Sequence, residues 1–89
     1  MIIALDFDNT YTRDPELWYS FTNYSRMRGH TVILVTARFD QHMAEVKTRV
    51  DGIFSASQIF NTSMAPKREF MQSKRVSVDI WIDDCPEMI

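Results

Sequence analysis

The stretch Ile2-Ile3-Ala4-Leu5-Asp6-Phe7-Asp8-Asn9-Thr10 decides how the rest of the chain is read. Ile2 to Phe7 is a short apolar run, rich in β-branched and aromatic side chains and broken only by Asp6. A run of that kind, without polar alternation, predicts a strand buried on both faces, as in parallel sheets. Asp6 and Asp8 stand two residues apart at its end. If the extended conformation continues through them, their side chains leave the same face and converge on one small volume. Two carboxylates so placed repel each other without a cation, and a hard divalent ion would take their oxygens and bridge to a phosphate.

Outward from this stretch the elements alternate. Asp14-Pro15 reads as an N-cap followed by proline at the first helical position, and Leu17, Phe21 and Tyr24 recur at helical spacing up to Gly29. Thr31 to Val35 is a second buried strand. Asp40 begins a helix carrying Met43, Val46 and Val50 on one face, with Gly52 as its stop. Between Ile53 and Asn61 either Ile53-Phe54 or Ile59-Phe60 can supply one short edge strand. Pro66 suits the first position of a helix through Phe70 and Met71, and Val78 to Ile82 forms a last apolar strand. Strands alternating with helices imply an α/β domain with parallel strands and right-handed crossovers.

A chain of 89 residues encloses one modest core, so residues 1–89 are expected to form a single domain without a substrate-capping domain. Hydrophobic residues at 45%, charged residues at 25%, two glycines and three prolines have the balance of a folded domain. A net charge of −2 excludes a broad basic surface that would hold nucleic acid through many phosphates, though not a local basic pocket. The apolar N-terminal residues are few and follow no basic region, so neither a signal peptide nor a membrane span is expected. One cysteine, Cys85, cannot form an internal disulfide, and the expected compartment is the cytoplasm. The six methionines are expected to fill the core. His30 and His42 have no partner at metal-ligand spacing, and Cys85 reads as a small packed residue.

In open parallel sheets ligands bind beyond the carboxyl ends of the strands, where the strand order reverses. That rule singles out Asp6 to Thr10, Thr36 to Arg38, and Asp83-Asp84. Asp6, Asp8, Asp83 and Asp84 form a candidate site for Mg2+. Thr36 places a hydroxyl donor where a phosphate oxygen can sit. Lys67 falls in the first turn of a helix, where cations are disfavoured, and this local cost invites a role in neutralising phosphate and carboxylates together. Arg38 stands where it can grip a second phosphate or a carboxylate of a substrate. Each position also has a plain structural reading: aspartates cap helices and shape turns, threonines end strands, and lysines and arginines lie solvated.

Taken together these positions resemble the haloacid dehalogenase superfamily of phosphotransferases. Its first motif, DxDx[TV], matches Asp6-Phe7-Asp8-Asn9-Thr10; Thr36 matches the second-motif hydroxyl, Lys67 the third-motif lysine, and Asp83-Asp84 the terminal acidic pair after Ile80-Trp81-Ile82. The resemblance runs from Ile2 to Asp84. It implies a minimal Rossmann-like, three-layer domain with a short parallel sheet of three to four strands. It further implies a magnesium-dependent phosphatase, a phosphomonoester hydrolase in which Asp6 is the nucleophile and Asp8 the general acid/base. The metal would be held by Asp6, the backbone carbonyl of Asp8 and Asp84, with Asp83 orienting Lys67 or a metal-bound water. Thr36, Asn9 and Thr10 would lie against the transferring phosphoryl group and Lys67 would balance its charge. Asn9 stands where many members have glycine, and asparagine tolerates the left-handed geometry such a turn needs.

The substrate implied is a phosphorylated small molecule or the phosphorylated end of a polymer. Two other readings are a non-catalytic module that keeps the site without turnover and a receiver-like phospho-acceptor domain. The receiver reading is disfavoured by motif order, because a receiver carries its adjacent acidic pair after the first strand and its accepting aspartate mid-chain. Only five residues follow Asp84, where larger members continue, and Trp18, Tyr19 and Phe21 crowd one helix. These features point to self-association, as in a homodimer, or to a partner that covers sheet edges and apolar side chains; the plain alternative is a monomer with a somewhat apolar surface.

Overall fold

The structure, a computed structural model, describes all 89 residues. In chain order it forms β1 (Ile2–Leu5), α1 (Pro15–Met27), β2 (Thr31–Thr36), α2 (Met43–Arg49), β3 (Ile59–Asn61), α3 (Lys67–Ser73) and β4 (Ile80–Ile82), with short 3-10 turns between them. All four strands are parallel and lie in the order β3-β2-β1-β4. The direction in which strands are added across the sheet therefore reverses once: β1, β2 and β3 step to one side, and the last crossover returns to the far side of β1. Right-handed crossovers require helices of the outward steps on one face and the helix of the return step on the other.

The side chains pack accordingly. Ile3, Leu5, Val32 and Leu34 meet Met43 and Val46 from α2, Val50 at its C-terminal cap, and the half-buried Trp18 and Phe21 from α1. Ala4, Ile33 and Val35 face Met71 and the half-buried Phe70 of α3. No helix is long and apolar enough to cross a membrane.

Local signals set several boundaries where the sequence places them. The Asp14 carboxylate accepts the Leu17 N–H at 3.2 Å, a cap worth about 1 kcal/mol, with Pro15 opening α1. Gly29, at φ 88°, ends that helix in the left-handed conformation. The ambiguous stretch resolves to β3 at Ile59–Asn61, while Phe54 leaves the sheet and is buried. The expected helix from Asp40 begins as a 3-10 turn, and α2 proper starts at Met43. Proline caps α3 rather than opening it, and Lys67 is the first helical residue. The last strand is Ile80–Ile82 rather than Val78 to Ile82.

Two expectations fail. The Leu17, Phe21 and Tyr24 stripe is not the buried face of α1, for Leu17 is 53% and Tyr24 63% exposed. The helix instead turns Thr22 and Ser25 to the sheet, one residue round from the stripe, because small side chains allow close approach. Arg26 fixes that rotation: its guanidinium donates to the carbonyls of Ile53 at 2.6 Å and Val32 at 3.3 Å and lies over the Phe54 ring. The methionines divide as well. Met43 and Met71 fill the core, whereas Met27 and Met64 stand exposed.

Candidate active site

The single reversal of strand order puts the carboxyl ends of β1 and β4 side by side, which is where a crevice opens in such a sheet. The Asp6 N–H donates to the Ile82 carbonyl at 2.9 Å as a last rung. The strand stops at Leu5, two residues before the expected end, because the chain then coils into a turn. Thr12 N–H returns to the Phe7 carbonyl at 3.1 Å and Tyr11 N–H to that of Asp6 at 3.2 Å. Asn9 takes φ 62° there, a geometry asparagine tolerates. Beneath the turn the Phe7 ring is buried and stacked on Tyr11 with centroids 5.9 Å apart.

Lys67 crosses from α3 into this crevice and is only 2% exposed. Its Nζ donates to Asp6 Oδ1 at 2.8 Å and to Asp83 Oδ2 at 2.5 Å. The other Asp83 oxygen accepts the Cys85 N–H at 2.9 Å. On the opposite side of Asp6, the Thr10 hydroxyl lies 3.1 Å from Asp6 Oδ2 and 3.3 Å from Asp84 Oδ1, while accepting the Asp84 N–H. One hydroxyl proton thus faces two carboxylates. Asp6, Asp83 and Asp84 each present an oxygen, all within 4.8 Å of one another.

Three carboxylates surround one ammonium in this cluster. Burial pushes the Asp6 carboxyl up to about 6, with Asp84 and Asp83 adding to the rise and Lys67 opposing it. Burial alone would lower the Lys67 ammonium, but its bonds to Asp6 and Asp83 outweigh it and hold the group above its ordinary value.

Asp8 does not join this cluster. The turn directs its carboxylate to Arg38, whose Nε and Nη2 donate to its two oxygens at 2.9 and 2.8 Å. This corrects the same-face convergence expected of Asp6 and Asp8, which held only for an extended chain. The Arg38 guanidinium also donates to Glu45 at 3.1 Å and to the His42 carbonyl at 2.9 Å, and it lies over the Phe7 ring. It is committed to protein partners instead of projecting free toward a second anion. The bidentate contact holds the Asp8 carboxyl below the usual carboxylate range. Thr36 is buried, with its hydroxyl accepting the Arg38 N–H at 3.4 Å.

A cavity of about 230 Å³ opens over these groups, lined by Asp6, Asp8, Asn9, Lys67, Asp83 and Asp84 but not by Thr36. Ala37, Met64, Cys85 and Met88 complete its wall; Ala37 lies in the stretch the carboxyl-end rule marks and Cys85 was read as a packed residue, whereas Met64 and Met88 were not singled out from the sequence. Met64 follows β3 closely enough for the carboxyl-end rule to have flagged it. No protein-family model, curated protein or solved structure matches the chain.

Proposed function

We propose that the chain is a magnesium-dependent phosphomonoester hydrolase of the haloacid dehalogenase type, acting through an aspartyl-phosphate on Asp6. The observation that carries this reading is the buried Lys67 between Asp6 and Asp83, beside Asp84, at the strand switch point. Burying a lysine and two carboxylates is a costly way to stabilise a core, so an arrangement of this kind calls for a chemical reason. The strand order supports the Rossmann-like assignment: β1 lies between β2 and β4, whereas a receiver-like sheet places β1 between β2 and β3.

The donor set fits a hard cation, since every candidate ligand atom is a carboxylate oxygen and three carboxylates outnumber the one ammonium. Asp6 and Asp84 would hold Mg2+, which when bound supplies charge neutralisation for an incoming phosphate dianion. In the proposed reaction an Asp6 oxygen attacks phosphorus, the ester oxygen leaves, and Asp8 gives that oxygen its proton. Asp8 then takes a proton from water, whose oxygen attacks phosphorus and frees Asp6 and inorganic phosphate. Lys67 keeps the Asp6 carboxylate oriented and balances phosphoryl charge. The Arg38 contact favours Asp8 as a base; donating a proton requires that contact to loosen.

Phosphate release from a panel of phosphomonoesters, with Mg2+ and with chelator, tests the reading. Mg2+-dependent release that disappears in Asp6→Asn is expected, because the amide is nearly isosteric but a poor nucleophile. Release that survives chelator or Asp6→Asn refutes the assignment. The clamp on Asp8 favours a second reading, a module that binds phosphate without turnover, which predicts at most one phosphate released per chain.

A further inference from the structure

The wall of the cavity carries a side chain that its own backbone disfavours. Ser63 and Met64, between β3 and α3, both occupy the left-handed region, at φ 53° and 69°. Glycine takes that conformation freely, while a long side chain adopts it under strain. The strain is fixed by hydrogen bonds. Ser63 N–H donates to the Arg38 carbonyl at 3.2 Å and Met64 N–H to that of Ala37 at 2.8 Å. These bonds tie the segment after β3 to the segment after β2 and hold a methionine, 55% exposed, against the cavity that contains Asp6, Asp8 and Lys67.

The charges around the cavity narrow what can sit beside Met64. Lys67, the one cation in its wall, is bonded to Asp6 and Asp83. Arg38 gives its guanidinium to Asp8, Glu45 and the His42 carbonyl. Neither is free for a second anionic group on a substrate. The remaining uncharged wall is Asn9, Ala37, Met64, Cys85 and Met88, and thioethers adapt to apolar surfaces of varied shape.

From the strained methionine and the absence of a free cation we infer that the substrate is a phosphomonoester with an uncharged, apolar leaving group, and that Met64 is the residue that selects it. This rests on the phosphatase reading. Met64 sets affinity for the leaving group; the phosphoryl chemistry belongs to the acid cluster.

Normal alkyl monophosphates test it, because ethyl, butyl and hexyl alcohols have nearly equal acidity and their esters differ in apolar length. The bisphosphate of hexanediol adds a second charge at the same length. Phosphate release with Mg2+ is measured for the wild type, Met64→Ser and Met64→Gly, the glycine variant being suited to the backbone conformation should serine disturb folding. A fully buried methylene is worth about fourfold in binding, so KM should fall at least about tenfold from ethyl to hexyl phosphate with kcat little changed. The bisphosphate should have a higher KM than hexyl phosphate. In both variants the ratio of ethyl to hexyl KM should move toward one. A wild-type KM independent of chain length, a preference for the bisphosphate, or an unchanged ratio in the variants overturns the inference while the phosphatase reading stands. No release from any ester under these conditions overturns both.

Discussion

Replacing Lys67 with methionine keeps the length of the buried stem and removes its charge, which tests whether the acid cluster depends on that cation. The wild-type ammonium lies 2.8 Å from Asp6 and 2.5 Å from Asp83, both within a nearly closed site. Removing one partner from a buried ion pair typically costs about 3–5 kcal/mol. A domain of 89 residues has a total stability of roughly 4–13 kcal/mol, so the loss is a large fraction of it. The size of the loss must depend on pH. In the wild type the folded-state pKa of Asp6 is raised from 3.8 to about 6. That rise contributes about 3 kcal/mol, fully present below the unfolded value and lost as pH climbs through the folded one.

In Lys67→Met both lowering influences of the ammonium vanish, so the Asp6 pKa rises further. Each additional pH unit of that rise removes about 1.4 kcal/mol of the penalty as Asp6 takes up its proton. Urea unfolding followed by circular dichroism at about pH 8 and about pH 5 should give the full penalty at the higher pH and a clearly smaller one at the lower. A penalty below about 1 kcal/mol at the higher pH would refute the reasoning, as would one that grows toward acid.

Three further outcomes follow from other contacts. Arg38→Met removes the bidentate partner that holds Asp8 ionised, so the Asp8 pKa rises and, if the proposed phosphatase reading holds, the pH profile of phosphate release moves upward; an unshifted profile counts against the contact. Thr22→Val replaces a fully buried hydroxyl with no hydrogen-bond partner by a methyl group of the same shape, and should stabilise the fold by about 1–2 kcal/mol; a lowered melting temperature would contradict that. Exposed Leu17 and Tyr24, with the single-sided pairing of β4, favour self-association at micromolar concentration, and one sedimenting species of 10.5 kDa would exclude it.

The two central strands were legible because strands buried on both faces leave continuous apolar runs, and Val32 to Val35 is nearly inaccessible throughout; the half-buried β3 and β4 left weaker signals, one ambiguous in position and one in length. Asp14-Pro15 and Gly29 were legible because caps depend on short-range geometry. Lys67 stood out as a cation at a helix start, and its placement between Asp6 and Asp83 gives that anomaly a structural cause. The direction of Asp8 was not legible, since it depends on the chain coiling at Phe7 and on Arg38, thirty residues away, reaching back. Nor was the rotation of α1: the stripe at Leu17 and Tyr24 has the stronger periodicity, but Arg26 and the small Thr22 and Ser25 decide which side meets the sheet. Met64 passed unnoticed because composition treats all methionines alike and the bounds of β3 were open; its place after β3 marks it as near the site, and its backbone geometry marks it as strained.

The pairing of β1 with both β2 and β4 also sets the order of events during synthesis. The hydrogen bond from Thr10 to Asp84 spans 74 residues, so Asp6 is synthesised well before the two acids that complete its cluster. At about 5–20 residues per second that wait lasts several seconds, during which β1 has β2 beside it but nothing on its other flank. A nascent chain stalled before Asp83 therefore carries Asp6 without the residues that hold its lysine and complete its cluster. The acid cluster is therefore a product of the last pairing in the sheet, assembled only when β4 docks beside β1.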